Sequence, residues 1–291
     1  ERLLFGKTFG FVDVWEGAER IGSVHTGYPY AVRAVGFDGD RVLAGLVEGV
    51  LLRSEEKFRG WNRIALPESR ATVRLIEKSG NEYVLVLEGE KTVSVYRSPT
   101  LDTPAWTKLG GAAIESAKVI GAAVVGQRTL LAPQLVGRQL MIPTSIVGWT
   151  TTVTIHTLNL DTQQWHSFEP DAESGGAAGY ILLPDGMIAT VAGMNISSSV
   201  YISKDMGKSW QKKGSSPTWL MALLANNGVL YAARLDHMGA ISAADSVSSM
   251  WTSSDNGETW AKQGILPTYM QQIHPLAKPG ALLFVDIIGN R

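Results

Sequence analysis

Short stretches in which apolar and polar residues alternate recur along the chain, and a turn sequence with glycine precedes six of them. Alternation with a period of two indicates strands with one buried face, and glycine permits the tight turn between two strands. The six turn glycines lie 41 to 57 residues apart, at Gly39, Gly80, Gly137, Gly186, Gly228 and Gly280. The pattern therefore predicts a regular succession of small antiparallel sheets.

A repeat of this length is typical of the four-stranded blade of a β-propeller. We therefore predict an all-β, six-bladed β-propeller that forms a single domain over residues 1–291. Its ring is closed by N- and C-terminal strands in one blade, which leaves no open sheet edge. The predicted blades span residues 28–67, 70–110, 115–170, 175–215 and 217–265, with 268–291 and 3–25 forming the closing blade. Two alternatives stay open: seven blades, if residues 115–170 hold two, and a short helix in the alanine-rich stretch 110–125.

Five of the predicted units reach a tryptophan at the turn before their last strand, at Trp61, Trp106, Trp165, Trp210 and Trp260. Two of these turns share the pattern Ser-x-Asp-x-Gly-x-x-Trp. Its residues are Ser203, Asp205, Gly207 and Trp210 in one copy, and Ser253, Asp255, Gly257 and Trp260 in the other. Aspartate accepts hydrogen bonds from turn amides, glycine adopts a positive φ, and tryptophan anchors the outgoing strand. This pattern resembles the Asp box of sialidase-like and BNR-repeat β-propellers, which implies a structural role for all eight residues.

Composition removes several classes of function. Lys and Arg number 26 against 27 Asp and Glu, so no global field favours nucleic acid or a membrane surface. No apolar run approaches the roughly 18 residues that span a bilayer, so we expect no membrane insertion. The absence of cysteine excludes disulfides and a cysteine nucleophile, and the five histidines lack the spacing of metal ligands. We expect no cofactor and no metal.

Charged residues at the predicted strand ends indicate one ligand-binding mouth. Arg33, Arg74 and Lys118 fall early in the first strands of their units, and Arg234 ends a second strand. Four acids, Glu48, Glu88, Asp236 and Asp286, also end second strands, so these groups either pair with each other or leave a cup for an anion. Sialidases clamp a sugar carboxylate with three arginines, and that resemblance implies Arg33 for the first, with Arg74 and Arg234 as further candidates.

The same resemblance implies a tyrosine nucleophile, for which Tyr269 has the matching place, but no glutamate partner accompanies it. A long loop, residues 236–247, begins with Asp236 and His237 on the predicted functional face. We predict that this loop contributes to an aromatic rim that binds a sugar or a protein. The other members of the rim are Trp149, Met194, Trp219, Tyr28 and Tyr30. Ordinary packing between blades is the alternative role for these aromatic residues.

The leading hypothesis is a non-catalytic sialidase-like propeller that recognises a glycan or a protein partner through its loop-rich face. One alternative is a glycoside hydrolase acting on an anionic sugar, and another is a structural module of a larger assembly. The sequence starts at Glu1 rather than at Met, so we expect a processed product or an excised domain. We expect an extracytoplasmic or secreted protein, with a virion as a further setting. The oligomeric state stays open.

Overall fold

A computed structural model describes most of the chain. The described residues are 2–16, 19–55, 60–114, 117–120, 123–130, 132–148, 152–169, 174–176, 180–183, 186–193, 198–216, 220–226, 228–237, 247–266, 270–275 and 282–286. They form β-strands joined by turns, with one short 3-10 turn at Thr8–Gly10. The expectation of an all-β fold is confirmed over these residues.

The strands of the first half of the chain form three antiparallel sheets, each from strands that are neighbours in the sequence. The first sheet contains β1 (Arg2–Gly6), β2 (Phe11–Glu16) and β3 (Glu19–His25). The second sheet contains β4 (Val32–Asp38), β5 (Arg41–Leu46), β6 (Val50–Ser54) and β7 (Trp61–Ile64). The third sheet contains β8 (Thr72–Ser79), β9 (Glu82–Glu88), β10 (Thr92–Ser98) and β11 (Thr107–Ala113).

The described strands of the second half form four further sheets. The fourth sheet contains β12 (Ala117–Ile120), β13 (Ala123–Leu130), β14 (Gln134–Val136), β15 (Gln139–Gly148), β16 (Thr152–Asn159) and β17 (Trp165–Phe168). The fifth contains β18 (Ser174–Gly176), β19 (Tyr180–Leu183), β20 (Gly186–Gly193), β21 (Ser198–Ser203) and β22 (Gln211–Ser216). The sixth contains β23 (Leu220–Asn226), β24 (Val229–His237), β25 (Val247–Ser253) and β26 (Ala261–Leu266). The seventh contains β27 (Met270–Pro275) and β28 (Leu282–Asp286).

Most predicted turns lie where the sequence placed them. Positive φ angles occur at the glycines that join the paired strands β4 and β5, β8 and β9, β14 and β15, and β23 and β24, namely Gly39, Gly80, Gly137 and Gly228. Gly186 opens β20 without a positive φ, and Gly280 lies outside the described residues. The five tryptophans each open, or immediately precede, the last strand of the second to sixth sheets.

The structure adds detail at the stretch with the helix alternative and at both ends of the chain. The described part of 110–125 is strand rather than helix, because Thr107–Ala113 pairs along β10 and Ala117–Ile120 pairs with β13. Within the predicted closing-blade segment 3–25, Thr8–Gly10 is a 3-10 turn, and Arg2–Gly6 forms a strand that pairs with β2. The terminal strands form two separate sheets in the described structure, so the number of blades and the closing of the ring stay predictions.

The chain divides into two compact units, which leaves the single domain a prediction. The first comprises Glu1–Ser116, Ala132–Ile142 and Leu158–Trp165, and the second comprises Ala117–Leu131, Pro143–Thr157 and His166–Arg291. Strand β5 shows how the first unit is packed, because alternate residues enter different clusters. Ala44 and Leu46 pack with Val12 and Val32, whereas Leu43 packs with Leu85 and other side chains of the third sheet. A strand buried on both faces explains the nearly continuous apolar run of β5.

The second and third sheets approach so closely that glycine is required at two facing positions. A Cβ atom at Gly45 would lie 2.3 Å from Val73 Cγ1, and a Cβ atom at Gly36 would lie 2.4 Å from the Ile76 carbonyl oxygen.

The buried cluster of the second unit includes Ile181, Val200, Ile202 and Leu230. Its members come from the fifth and sixth sheets, which pack against each other there.

Candidate ligand-binding face

Arg33 and Arg74 occupy equivalent positions in two neighbouring sheets. In β4 the pairing with β5 passes from Val32 to Ala34 and leaves Arg33 as the extra residue of a bulge. In β8 the pairing with β9 skips Arg74 in the same way. A bulge redirects the side chain of its extra residue and commonly lies beside a functional site. The sequence placed both arginines early in their strands, but it carried no signal for the bulges.

The two guanidinium groups act on each other electrostatically. The Arg74 side chain is mostly buried, and its Nε lies 3.7 Å from Oε2 of the equally buried Glu88. Burial lowers the pKa of Arg74 and the charge of Arg33 lowers it further, whereas Glu88 opposes both effects. The exposed Arg33 has no ion-pair partner among the described residues. Arg33 therefore keeps a charge that no described carboxylate neutralises, and this leaves capacity for an anionic ligand.

A third arginine, Arg70, which no sequence pattern indicated, lies in the loop leading into β8. Arg70 is exposed and has a φ of 63°, which is uncommon for a residue other than glycine. The loop is held by Gly49, whose N–H donates to the Ala71 carbonyl at 3.0 Å. Gly49 follows Glu48, so the end of β5 meets the start of β8 here. No residue pattern distinguishes Arg70 from an ordinary loop residue, because its position depends on this contact.

Tyr28 and Tyr30 lie in the loop that connects β3 to β4, five and three residues before Arg33 in the chain. Their rings are stacked, with centroids 6.3 Å apart and an interplanar angle of 28°. Tyr30 is 37% exposed, whereas Tyr28 packs against the cluster around Val12 and Val32. Tyr28 is thus anchored in the core, and Tyr30, stacked on it, presents an aromatic surface to solvent.

The remaining predicted ligand residues are described only in part. Lys118 lies in β12, and Arg234, Asp236 and His237 lie in β24, as backbone positions. Trp149, Met194, Trp219 and Tyr269 lie outside the described residues, as does most of the loop 236–247. Their roles stay predictions.

The two turns Ser203–Trp210 and Ser253–Trp260, called here the repeated turns, have the same hydrogen-bond pattern. In the first, Ser203 Oγ donates to Asp205 Oδ1 at 2.9 Å and accepts the Gly207 N–H at 2.7 Å. Asp205 Oδ1 also accepts the Ser209 N–H at 2.9 Å, and its Oδ2 accepts the Ser209 hydroxyl at 2.6 Å.

In the second repeated turn Ser253, Asp255, Gly257 and Thr259 make the corresponding bonds. These bonds, chiefly those from Ser209 and Thr259, lower the pKa of Asp205 and of Asp255 to about 2. The acids are used inside the turns, as a structural role requires.

One described pair resembles a nucleophile and its base. Ser167 Oγ lies 2.8 Å from His156 Nδ1. Burial lowers the pKa of His156 to about 4, so the imidazole is a weak proton acceptor at neutral pH. The pair therefore lacks the tuned base that nucleophilic catalysis requires.

Within the described ranges, no cluster of His, Asp and Glu residues is arranged to hold a metal ion. The same part of the chain contains no helix with the length and apolar character needed to cross a membrane.

A succession of small antiparallel sheets, each built from consecutive strands, defines an all-β protein with the propeller fold. No family model matches the chain, and no curated protein matches its sequence. Among similar solved structures is one described as YCF48 bound to D1 peptide, which is a β-propeller. It shares 16% sequence identity with this chain at a TM-score of 0.57, over 90% of this chain and 78% of that one. At this identity the likeness shows the fold.

Proposed function

We propose that this chain is a non-catalytic propeller that binds a segment of a protein partner at the face carrying Arg33 and Arg74. The two bulged arginines carry the proposal, since Arg74 pairs with Glu88 whereas the exposed Arg33 has no carboxylate partner among the described residues. An arginine fork recognises a carboxylate by paired, charge-assisted hydrogen bonds. The similar structure of YCF48 holds a D1 peptide, which supports a peptide as the kind of ligand.

The peptide we envisage has an acidic side chain or a free C-terminal carboxylate. Arg33 is the group that meets it, because Arg33 is exposed whereas Arg74 already faces Glu88. Tyr30 lies three residues before Arg33 in the chain and offers an exposed aromatic surface in the loop that leads into β4. An aromatic group next to an arginine is a common composition for the centre of a protein interface.

The repeated turns support a place for the chain among the sialidase-like, BNR-repeat propellers. That relationship raises a second candidate function, recognition of an anionic glycan at the same face. The stacked Tyr28 and Tyr30 favour it, since an exposed aromatic face can pack against a sugar ring. The weak base at His156 and the use of both repeated-turn acids inside their turns argue against hydrolysis by these groups.

The test is a binding screen of the purified chain on an array of acidic peptides, their amidated neutral counterparts and sialylated glycans. We expect acidic peptides to bind better than their neutral counterparts, with affinity that falls as salt rises. Arg33→Gln should weaken binding about 10- to 100-fold, because charged hydrogen bonds contribute roughly 1.5–3 kcal/mol.

Lys208→Gln is the matched control, since it removes one exposed positive charge from a repeated turn and should leave binding unchanged. Binding of glycans alone would favour the second candidate. Equal affinity of Arg33→Gln and the unmodified protein for the acidic peptides would contradict the proposed site.

A further inference from the structure

The second repeated turn contains an Asn-Gly dipeptide, Asn256-Gly257, at its exposed tip. Such a dipeptide is chemically labile, because glycine leaves its own nitrogen accessible to the preceding side chain. The Gly nitrogen loses its proton and attacks the Asn Cγ, ammonia leaves, and a five-membered succinimide forms. Water then opens either carbonyl of that ring and yields aspartate or isoaspartate. The net reaction consumes one water and releases one ammonia, and it needs no enzyme or oxidant.

In the folded turn the attacking nitrogen is occupied. The Gly257 N–H donates to the buried Ser253 Oγ at 2.8 Å. The Ser253 hydroxyl in turn donates to Asp255 Oδ1 at 2.7 Å, so its lone pairs remain available to the Gly257 N–H. This chain of bonds retains the proton that has to leave before Gly257 can attack.

Packing also fixes the position of Gly257. The residue is buried, and a Cβ atom at this position would lie 3.0 Å from Val200 Cγ1. Its carbonyl accepts the indole N–H of Trp260 at 3.1 Å. The nitrogen therefore cannot move toward Cγ of Asn256 unless the turn opens. Asn256 itself is exposed, with a φ of 57°.

We propose that Asn256 is a latent deamidation site, which the bond from Gly257 to Ser253 keeps closed in the folded protein. When the turn opens, the Gly257 nitrogen is free to attack Asn256. Molecules that have reacted can no longer form the original turn. Isoaspartate places an additional methylene in the main chain between residues 256 and 257. Gly257 is already closely packed against Val200, so the longer main chain would have to displace neighbouring atoms of the turn.

The first repeated turn supplies a natural comparison. Gly207 makes the equivalent bond to Ser203 Oγ, but Met206 stands in the place of Asn256 with nearly the same φ, 58°. Loss of the serine hydroxyl in this turn weakens the structure without creating a reactive amide. Comparing loss of the serine hydroxyl in the two turns therefore distinguishes faster deamidation at Asn256 from a general loss of stability.

The experiment compares the unmodified chain, Ser253→Ala and Ser203→Ala during incubation at mildly alkaline pH. Peptide mapping by mass spectrometry follows Asn256, and isoaspartate detection follows the product. Asn227-Gly228 carries the same dipeptide, so the two peptides have to be resolved from each other. We expect Ser253→Ala to deamidate at Asn256 roughly tenfold faster than the unmodified chain, and Ser203→Ala to match the unmodified chain at this position.

Equal rates at Asn256 for the two serine variants would overturn the proposal, as would equal rates for the unmodified chain with and without denaturant. Hydrogen exchange provides a second measurement should Ser253→Ala not fold. We expect the Gly257 amide of the unmodified chain to exchange much more slowly than the amide of Asn256. A rapidly exchanging Gly257 amide would equally contradict the proposal.

Discussion

Asp205 and Asp255 show how single side chains hold their turns. Each carboxylate accepts bonds from both the hydroxyl and the backbone N–H of a residue four positions later. These bonds favour the charged form and lower each pKa to about 2. In the unfolded chain the same groups have a pKa of roughly 4. The folded protein therefore binds fewer protons than the unfolded protein between these values.

From this difference follows a pH dependence of stability. The contribution of the two acids is complete above about pH 4 and is lost as the pH falls toward about 2. We expect Asp205→Asn combined with Asp255→Asn to be less stable at neutral pH and to lose less stability on acidification. Denaturant unfolding between about pH 6 and pH 2 measures both effects.

Asp40→Asn is the control for this pair, because Asp40 is exposed in the Gly39 turn and has no hydrogen bond among the described residues. Its unfolding should follow the unmodified chain across the pH range. If the stability of the double variant falls as steeply with acid as that of the unmodified chain, the turn hydrogen bonds do not lower the pKa of these two carboxylates.

At the scale of the strand, the tryptophans before the last strands connect neighbouring sheets. The indole N–H of Trp61 donates to the His25 carbonyl at 3.0 Å, and that of Trp106 donates to the Ala65 carbonyl at 2.8 Å. In each case the acceptor lies at or just after the last strand of the preceding sheet. Trp210 instead stacks on Phe168 of β17, with centroids 4.9 Å apart and an interplanar angle of 11°. The tryptophan before the last strand thus connects its sheet to the preceding one, in two cases by a hydrogen bond and in one by ring stacking.

The Trp210 and Phe168 pair gives a prediction about coupling between strands. In a double-mutant cycle with Trp210→Leu and Phe168→Leu, we expect a coupling free energy of about 1 kcal/mol from the stacked rings. The control cycle pairs Phe168→Leu with Trp260→Leu. Trp260 packs instead with Val200 and Leu230, so these two changes should be additive. Additive effects in the first cycle would mean that the stacking does not contribute to stability.

Regular strands could be predicted from the sequence, whereas irregular ones could not. The turns at Gly39, Gly80, Gly137 and Gly228 were readable because a tight turn between two alternating stretches leaves few other choices. In the fourth and fifth sheets, two strands occupy the place of one. In the fourth sheet β13 and β14 both pair with β15, and in the fifth β18 and β19 both pair with β20. Short segments such as β14 and β18 are too brief to show a period.

The arginine site illustrates the same limit. Arg33 and Arg74 were identified because they lie early in strands of known direction. Their bulges stayed hidden, since a bulge depends on the register between two strands and not on the pattern within one. Arg70 was missed because its positive φ accompanies a close approach of Gly49, which no pattern within a strand indicates. Sequence patterns therefore indicated which residues carry charge at this face, but not their geometry.

At the scale of the whole molecule, the proposed binding residues and the structural turns lie in different compact units. Arg33, Arg74, Glu88, Tyr28 and Tyr30 all belong to the first compact unit. The two repeated turns belong to the second unit, and their polar groups are used inside the turns. The propeller fold by itself permits many functions, so the function has to be argued from the site. The site proposed here comprises two bulged arginines, with a stacked aromatic pair in the loop that precedes Arg33.

Hydrogen exchange with and without the best acidic peptide from the binding screen tests this account most directly. The peptide should slow exchange in the loop and strand start at residues 26–34 and in the corresponding segment at residues 69–75. The repeated turns, residues 203–210 and 253–260, should be unaffected at the same peptide concentration. Slower exchange confined to the repeated turns, or no change in residues 26–34 at saturation, would contradict the proposal that this face binds the partner.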